Sequence, residues 1–194
     1  MSFQDIFIPP SFDLSRTVMV EGAFAPADCD RIVQFAQSLP RSEGDIVGAG
    51  VMSKVRRSQV SWIPQSQEAA ALYERMHRLA KKVNEECYAF RLTGFSEQIQ
   101  YAEYPAGHGY YDWHVDIGKG VAGNRKLSIV IQLSDRSDYE GGELQIRIRK
   151  SADVMPALRG TAIVFPSFLL HRVTPVTRGL RRSLTLWISG PPFA

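Results

Sequence analysis

Residues 159–190 read RGTAIVFPSFLLHRVTPVTRGLRRSLTLWISG. Three apolar runs lie in this stretch, Thr161–Phe165, Leu170–Val173 and Ser183–Ile188, with Pro166, Pro175 and Gly179 standing between them. Runs this short, rich in branched and aromatic residues and bounded by turn formers, predict strands rather than helices. The same texture continues back toward the N-terminus in Glu97–Tyr104, Tyr110–Ile117, Lys126–Leu133 and Glu143–Arg149. Seven short strands in about 95 residues predict an antiparallel sandwich or barrel.

The first half reads differently. Pro26–Leu39 is a predicted helix, with Pro26 in its first turn, Asp28 and Asp30 at its positive end, and Pro40 stopping it. Ile32, Val33, Phe35, Ala36 and Leu39 form its apolar stripe. A second helix runs from Ser66, its expected N-cap, to Tyr88, with Leu72, Met76, Leu79 and Val83 on one face. Val18–Phe24 and Val55–Ile63 read as strands; in the latter Val60 and Trp62 face one side, Arg57 and Ser61 the other. Residues 41–53 (RSEGDIVGAGVMS) and 118–125 read as mobile loops flanking a site entrance. The class is α+β, mainly β. Helical support over about 1–92 buttresses a β core over about 93–194 in a single domain of 194 residues.

Composition excludes several classes. A net charge of +3 is too small an excess to point to nucleic acid or an anionic membrane. No run reaches the length of a membrane helix. Met1–Leu14 has no basic residue and breaks at Pro9-Pro10, unlike a secretory leader. Two cysteines, Cys29 and Cys87, are too few for a disulfide scaffold and read as reduced thiols in a cytoplasmic protein.

His114 and Asp116 lie two apart in a predicted strand, so their side chains leave one face. An imidazole and a carboxylate there supply two ligands for a divalent metal, although the same spacing is ordinary on a half-exposed strand. His171 ends an apolar run and so sits beside the core. It completes a set of two histidines and one carboxylate that leaves three metal positions open. Ten residues on, Arg181 opens an apolar strand, where a guanidinium reaching into a barrel can bind a carboxylate through two parallel hydrogen bonds. Arg178 and Arg182, with His77 and His108, read as surface residues.

The stretches YPAGHGYYDWHVD (104–116), KLSIVIQLS (126–134), DYEGGELQI (138–146) and 159–190, in this order and spacing, resemble the Fe(II)/2-oxoglutarate-dependent dioxygenases, in the prolyl 4-hydroxylase-like (PKHD-type) branch. The resemblance implies a double-stranded β-helix, or jelly roll. It implies that His114, Asp116 and His171 bind Fe(II) and that Arg181 binds the distal carboxylate of 2-oxoglutarate. Tyr104 and Ser128 match positions that help hold that carboxylate, with Tyr101 the rival of Tyr104. Arg56-Arg57-Ser58 resembles a substrate-side strand of the prolyl hydroxylases and Trp187 matches an aromatic common among them, so that Arg57, Tyr111 and Trp187 are the implied substrate residues. Trp187 stands where nucleic-acid demethylases carry a second arginine, which argues against a nucleic-acid substrate. The implied activity couples decarboxylation of 2-oxoglutarate to hydroxylation of a prolyl residue in a peptide or protein, with dioxygen as co-reactant and ascorbate as an accessory reductant. A free amino acid or other small molecule is the alternative substrate. A silent jelly-roll binding module and a cupin-like zinc or manganese enzyme are the competing classes. Arg181 beside a full ligand set argues against both.

Overall fold

The computed structural model describes residues 13–44 and 55–193. Along the chain these form β1 (Val18–Val20), α1 (Pro26–Gln37), β2 (Arg41–Glu43), β3 (Arg56–Arg57), β4 (Gln59–Ile63) and α2 (Ala70–Cys87). The strands then follow without a further α-helix: β5 (Ile99–Pro105), β6 (Tyr110–His114), β7 (Arg125–Gln132), β8 (Tyr139–Gly141), β9 (Leu144–Arg147), β10 (Ala152–Val154), β11 (Ala162–Pro166), β12 (Leu170–Val173) and β13 (Val176–Ser189). The main sheet has the order β1-β11-β7-β13-β5-β4-β2, with β8 also paired to β13; the second has the order β10-β9-β12-β6-β3.

Alternation along β7 and β13 decides what each face does. Leu127, Ile129 and Ile131, with Leu184, Leu186 and Ile188, turn outward and bury Cys29, Ile32 and Ala36 of α1 and Met76, Ala80 and Val83 of α2. Each such fully buried large side chain contributes about 1.5–3 kcal/mol. The opposite face looks into the space between the sheets. There Val130, Ile163 and Phe165 meet Leu144 and Ile146, and Val60, Ala102 and Tyr104 meet Val173 and Tyr111. Two antiparallel sheets closed over a shared interior, with helices covering one outer face, are the jelly roll expected.

The phase of β13 is set by the corner that precedes it. Gly141 and Gly142 both have positive φ, +69° and +59°, and a Cβ on Gly141 would meet the Pro175 carbonyl oxygen. Gly142 N–H donates to Pro175 O at 3.1 Å, and Glu143 N–H donates to Thr174 Oγ1 at 2.8 Å. The tight contact fixes where the strand begins, and so which residues from Val176 onward face inward.

Several expected boundaries shift. The first strand stops at Val20 because the chain turns through Gly22, whose φ is +64°. The second helix starts at Ala70, and Ser66 caps only a preceding turn, its Oγ accepting from Ala69 N–H at 3.4 Å. Its most buried line runs through Tyr73 rather than Leu72 and Leu79, which are partly buried. The reason is polar: Tyr73 OH donates to Ile63 O at 2.7 Å and accepts from Ile99 N–H at 3.0 Å, pinning the helix to the sheet. Arg41–Glu43, expected as loop, is an edge strand on β4; the rest of that loop beyond Gly44 lies outside the described residues. Residues 118–125 contain a 3-10 turn at Gly120–Asn124. The single strand expected over Val55–Ile63 breaks at Ser58, because Arg56–Arg57 pairs with the second sheet and Gln59–Ile63 with the main one. Both cysteines are unpaired, Cys29 buried and Cys87 half-buried. No helix among the described residues is long and apolar enough to cross a membrane.

Candidate active site

In β6 and β12, His114 and His171 stand directly opposite one another, and their ring centres are 4.1 Å apart between the sheets. Nδ1 of His114 lies 2.7 Å from Asp112 O, and Nδ1 of His171 lies 2.8 Å from Leu169 O. A carbonyl oxygen only accepts, so each Nδ1 carries a proton and in the neutral ring Nε2 is the atom left to bind a metal. The two Nε2 atoms converge on Asp116: His114 Nε2 is 3.6 Å from Oδ1 and His171 Nε2 is 3.5 Å from Oδ2. The three ligand atoms all lie within 4.8 Å of one another.

Asp116 arrives there by a different route from strand alternation, since β6 ends at His114. Its N–H donates to Ser167 O at 2.9 Å and its carbonyl accepts from Arg125 Nη1 at 2.9 Å. Ser128 Oγ donates to Oδ2 at 2.6 Å and lies 3.0 Å from Ser167 Oγ, so its proton is committed to the carboxylate. With both rings neutral, three lone-pair atoms face one another there, an arrangement that a cation relieves. Two neutral imidazoles and a carboxylate, each fixed by a backbone or hydroxyl partner, fit a divalent transition metal with open positions.

Burial is the largest influence on the His114 imidazole and, helped by the neighbouring His171, pulls its pKa down to about 4, against a smaller opposing pull from Asp116. Burial alone would raise the Asp116 carboxyl, but the two imidazoles and the Ser128 hydrogen bond outweigh it and hold it below the usual range. The unfolded chain takes up the His114 proton near pH 6.5 and the folded chain only near 4, so protons favour unfolding between these values. Metal-free protein is therefore expected to lose thermal stability as pH falls from 6.5 toward 4, and His114→Asn to flatten that slope. Unfolding midpoints measured across this range check it.

Arg181 is 2% exposed and stands opposite Tyr104 of β5. Its Nη1 donates to Ser183 Oγ at 3.2 Å and its Nη2 to Gln132 Oε1 at 3.1 Å; Gln132 Nε2 in turn donates to Tyr139 OH at 2.6 Å. All these partners are neutral. The guanidinium carbon is 5.4 Å from the Tyr104 ring centre, and the Tyr104 hydroxyl has no hydrogen bond among the described residues. A cavity of about 300 Å³ adjoins the guanidinium, lined also by Gln132, Tyr139, Leu144, Met155 and Ile163. The His–Asp–His cluster is not in that lining. Phe165 connects the two, packing with Ile163 and Leu144 and meeting the His171 ring edge-on at 4.8 Å. Arg136 and Glu143 also line this cavity, but among the described residues no carboxylate pairs with Arg181, and a buried cation so placed beside open space suits an anion, its planar fork a carboxylate.

The remaining expected residues divide. Tyr101 faces the helices, donating to Glu103 Oε1 at 2.7 Å, and is removed from the cosubstrate set. Ser128 serves Asp116 instead of the distal carboxylate position. Tyr111 stacks on His114 with ring centres 3.4 Å apart and planes at 10°, and burial pushes its hydroxyl pKa up to about 12. Trp187 lies opposite Ser128; its buried Nε1 has no partner of hydrogen-bond geometry, yet it helps keep the Asp116 carboxyl low. Arg57 is exposed, and Arg56 beside it is the residue turned inward. Arg125, Gln132 and Ser183 were not foreseen. Arg125 lies 3.7 Å over the Trp187 ring and grips both Glu97 oxygens at 2.6 and 2.5 Å. Gln132 and Ser183 do share a strand face with Ser128 and Arg181 by simple alternation, and that is the signal by which sequence reading can find them.

Residues 99–189 match the model of the 2OG-Fe(II) oxygenase superfamily. Over these residues the chain is similar to that superfamily. The chain is 37% identical over 100 residues to a PKHD-type hydroxylase of Synechococcus sp. (strain CC9902), covering 52% of this chain and 45% of the relative. It is 40% identical over 85 residues to one of Teredinibacter turnerae, covering 41% and 38%. The chain thus spans less than half the length of these curated relatives. The oxygenase fold is also that of a Pseudomonas putida prolyl-4-hydroxylase, with a TM-score of 0.70 at 20% identity over 90% of this chain and 92% of the other. A Trichoplax adhaerens prolyl hydroxylase, solved in complex with a hypoxia inducible factor oxygen degradation domain peptide fragment, gives 0.74 at 19% identity over 89% and 83%.

Proposed function

We propose that this chain is an Fe(II)- and 2-oxoglutarate-dependent hydroxylase. The observation that carries the reading is the pairing of two features: two imidazole Nε2 atoms and a carboxylate aimed at one point, and a buried guanidinium with no carboxylate partner among the described residues beside a cavity. His114, Asp116 and His171 would hold the metal, with Asp112 O, Leu169 O and Ser128 fixing their orientation. Arg181 would receive the distal carboxylate of the cosubstrate, supported by Gln132 and Ser183, with the unbonded Tyr104 hydroxyl beside it. Bound Fe(II) with 2-oxoglutarate and dioxygen supplies oxidation of a C–H bond to an alcohol, releasing succinate and carbon dioxide. Tyr111, Trp187 and Trp62 give the mouth an apolar, aromatic wall that orients the substrate and excludes water. A prolyl residue in a peptide or protein is the favoured substrate, supported by the likeness to prolyl hydroxylases and by the peptide complex of one of them.

The test is an anaerobic titration of the protein with Fe(II) and then 2-oxoglutarate. A saturable visible charge-transfer band is expected, appearing only when both are present. A folded protein that gives no band would overturn the reading and favour a silent binding module.

A further inference from the structure

The interior holds a second buried guanidinium that the reading above does not use. Arg56 is 8% exposed and lies opposite Tyr111, so both side chains enter the mouth where the chain crosses from one sheet to the other. Its Nε donates to Ser58 Oγ at 2.7 Å and its Nη2 to Gln100 Oε1 at 2.8 Å, both neutral. Its guanidinium carbon is 4.8 Å from the centre of the Tyr111 ring, the ring that stacks on His114. Among the described residues Nη1 has no hydrogen bond and no carboxylate pairs with Arg56. Gly44 closes one side: its N–H donates to Ser58 O at 2.8 Å, and a Cβ there would run into Ser58 Oγ and Arg56 Nε.

Charge balance identifies what is missing. With a divalent ion and a dicarboxylate cosubstrate in place, their charges cancel with those of Asp116 and Arg181. Arg125 is cancelled by Glu97. Among the described residues around the His–Asp–His cluster Arg56 then stays uncompensated, and a buried charge held only by neutral dipoles and a ring face is costly until an anion arrives. We propose that Arg56 receives a carboxylate of the substrate, so that the molecule hydroxylated carries a carboxylate close to the reacting carbon. Two sources share this chemistry: the α-carboxylate of a free or C-terminal residue, and an acidic side chain next to the target residue. This inference rests on the oxygenase reading.

Two matched pairs of probes test it on protein loaded anaerobically with Fe(II) and 2-oxoglutarate, with the change in the visible band on adding probe as the binding signal. The first pair is N-acetyl-L-proline against its methylamide; the second is N-acetyl-Asp-Pro-amide against N-acetyl-Asn-Pro-amide. In at least one pair the carboxylate form is expected to bind tighter by about tenfold or more, as a charge-assisted hydrogen bond to a buried group implies. The first pair reports an α-carboxylate and the second an acidic neighbour. Arg56→Gln is expected to bring the ratio to about one while leaving the band itself intact, and Arg56→Lys to restore part of it. Should Arg56→Gln fail to fold, the partial ratio in Arg56→Lys carries the test. Equal or tighter binding of the neutral form in both pairs, or a preference undiminished in the variants, would overturn the proposal. No band in wild type fails the oxygenase reading instead, and the inference with it.

Discussion

His171→Ala is expected to lower Fe(II) affinity by more than about a hundredfold, the upper end of what loss of a mere outer hydrogen-bonding partner causes at a metal site. The reason lies in the fixed tautomers. His171 Nε2 is held in place by the Nδ1–H bond to Leu169 O and by the Phe165 ring edge. No other imidazole is positioned to replace it, because the nearest, His114, already faces Asp116 from the other side. The variant keeps Asp116 and Ser128 together, so its circular dichroism should match wild type while succinate formation falls to background. Equilibrium dialysis against Fe(II) under anaerobic conditions, beside succinate formation, checks both halves. Wild-type metal affinity in this variant would remove His171 from the ligand set.

Arg181→Gln is expected to act at the other end of the interior. The metal should bind as before, whereas the affinity for 2-oxoglutarate should fall by about 2–5 kcal/mol, the usual result of truncating one side of a buried charge pair. That is roughly thirtyfold or more in dissociation constant. Arg181→Lys should fall between, since it keeps the charge and loses the parallel pair of donors. Titrating the visible band with 2-oxoglutarate measures all three proteins. An unchanged midpoint in Arg181→Gln would mean that the cosubstrate does not reach this guanidinium.

Strand periodicity made much of this legible in sequence. The apolar runs from Phe95 onward sit within a few residues of the observed strands, and Leu170–Val173 coincides with β12. The helices were readable because Pro26 and Pro40 bracket one and an apolar stripe marks the other. Short strands such as Tyr139–Gly141 and Ala152–Val154 carried too little pattern, since pairing rather than composition makes them strands. For the site, residue type and order brought His114, Asp116, His171 and Arg181 forward, but period two leaves open which parity faces inward. Tyr101 and Tyr104 lie on opposite parities of β5, and only the helix layer packed on Tyr101 decides between them. Between Arg56 and Arg57 alternation cannot decide, because the chain changes sheets at Ser58 and only the pairing of Arg56 with Tyr111 turns it inward. The route of Asp116 was out of reach, because it depends on Ser167 and Arg125 arriving from distant segments.

The single strand β13 carries Arg181 near one end and Trp187 near the other, with both side chains inside. At about 3.4 Å per residue the six intervening steps span roughly 20 Å. β5 pairs with Leu180–Thr185 and β7 with Ser183–Ser189, so a residue lost between the two anchors would shift the ladder itself and turn one of them out of the interior. On the proposed reading, the backbone ladder acts as a fixed gauge. A one-residue slip would therefore cost the guanidinium at one end or the aromatic wall at the other, so both ends of the interior are held to a single register.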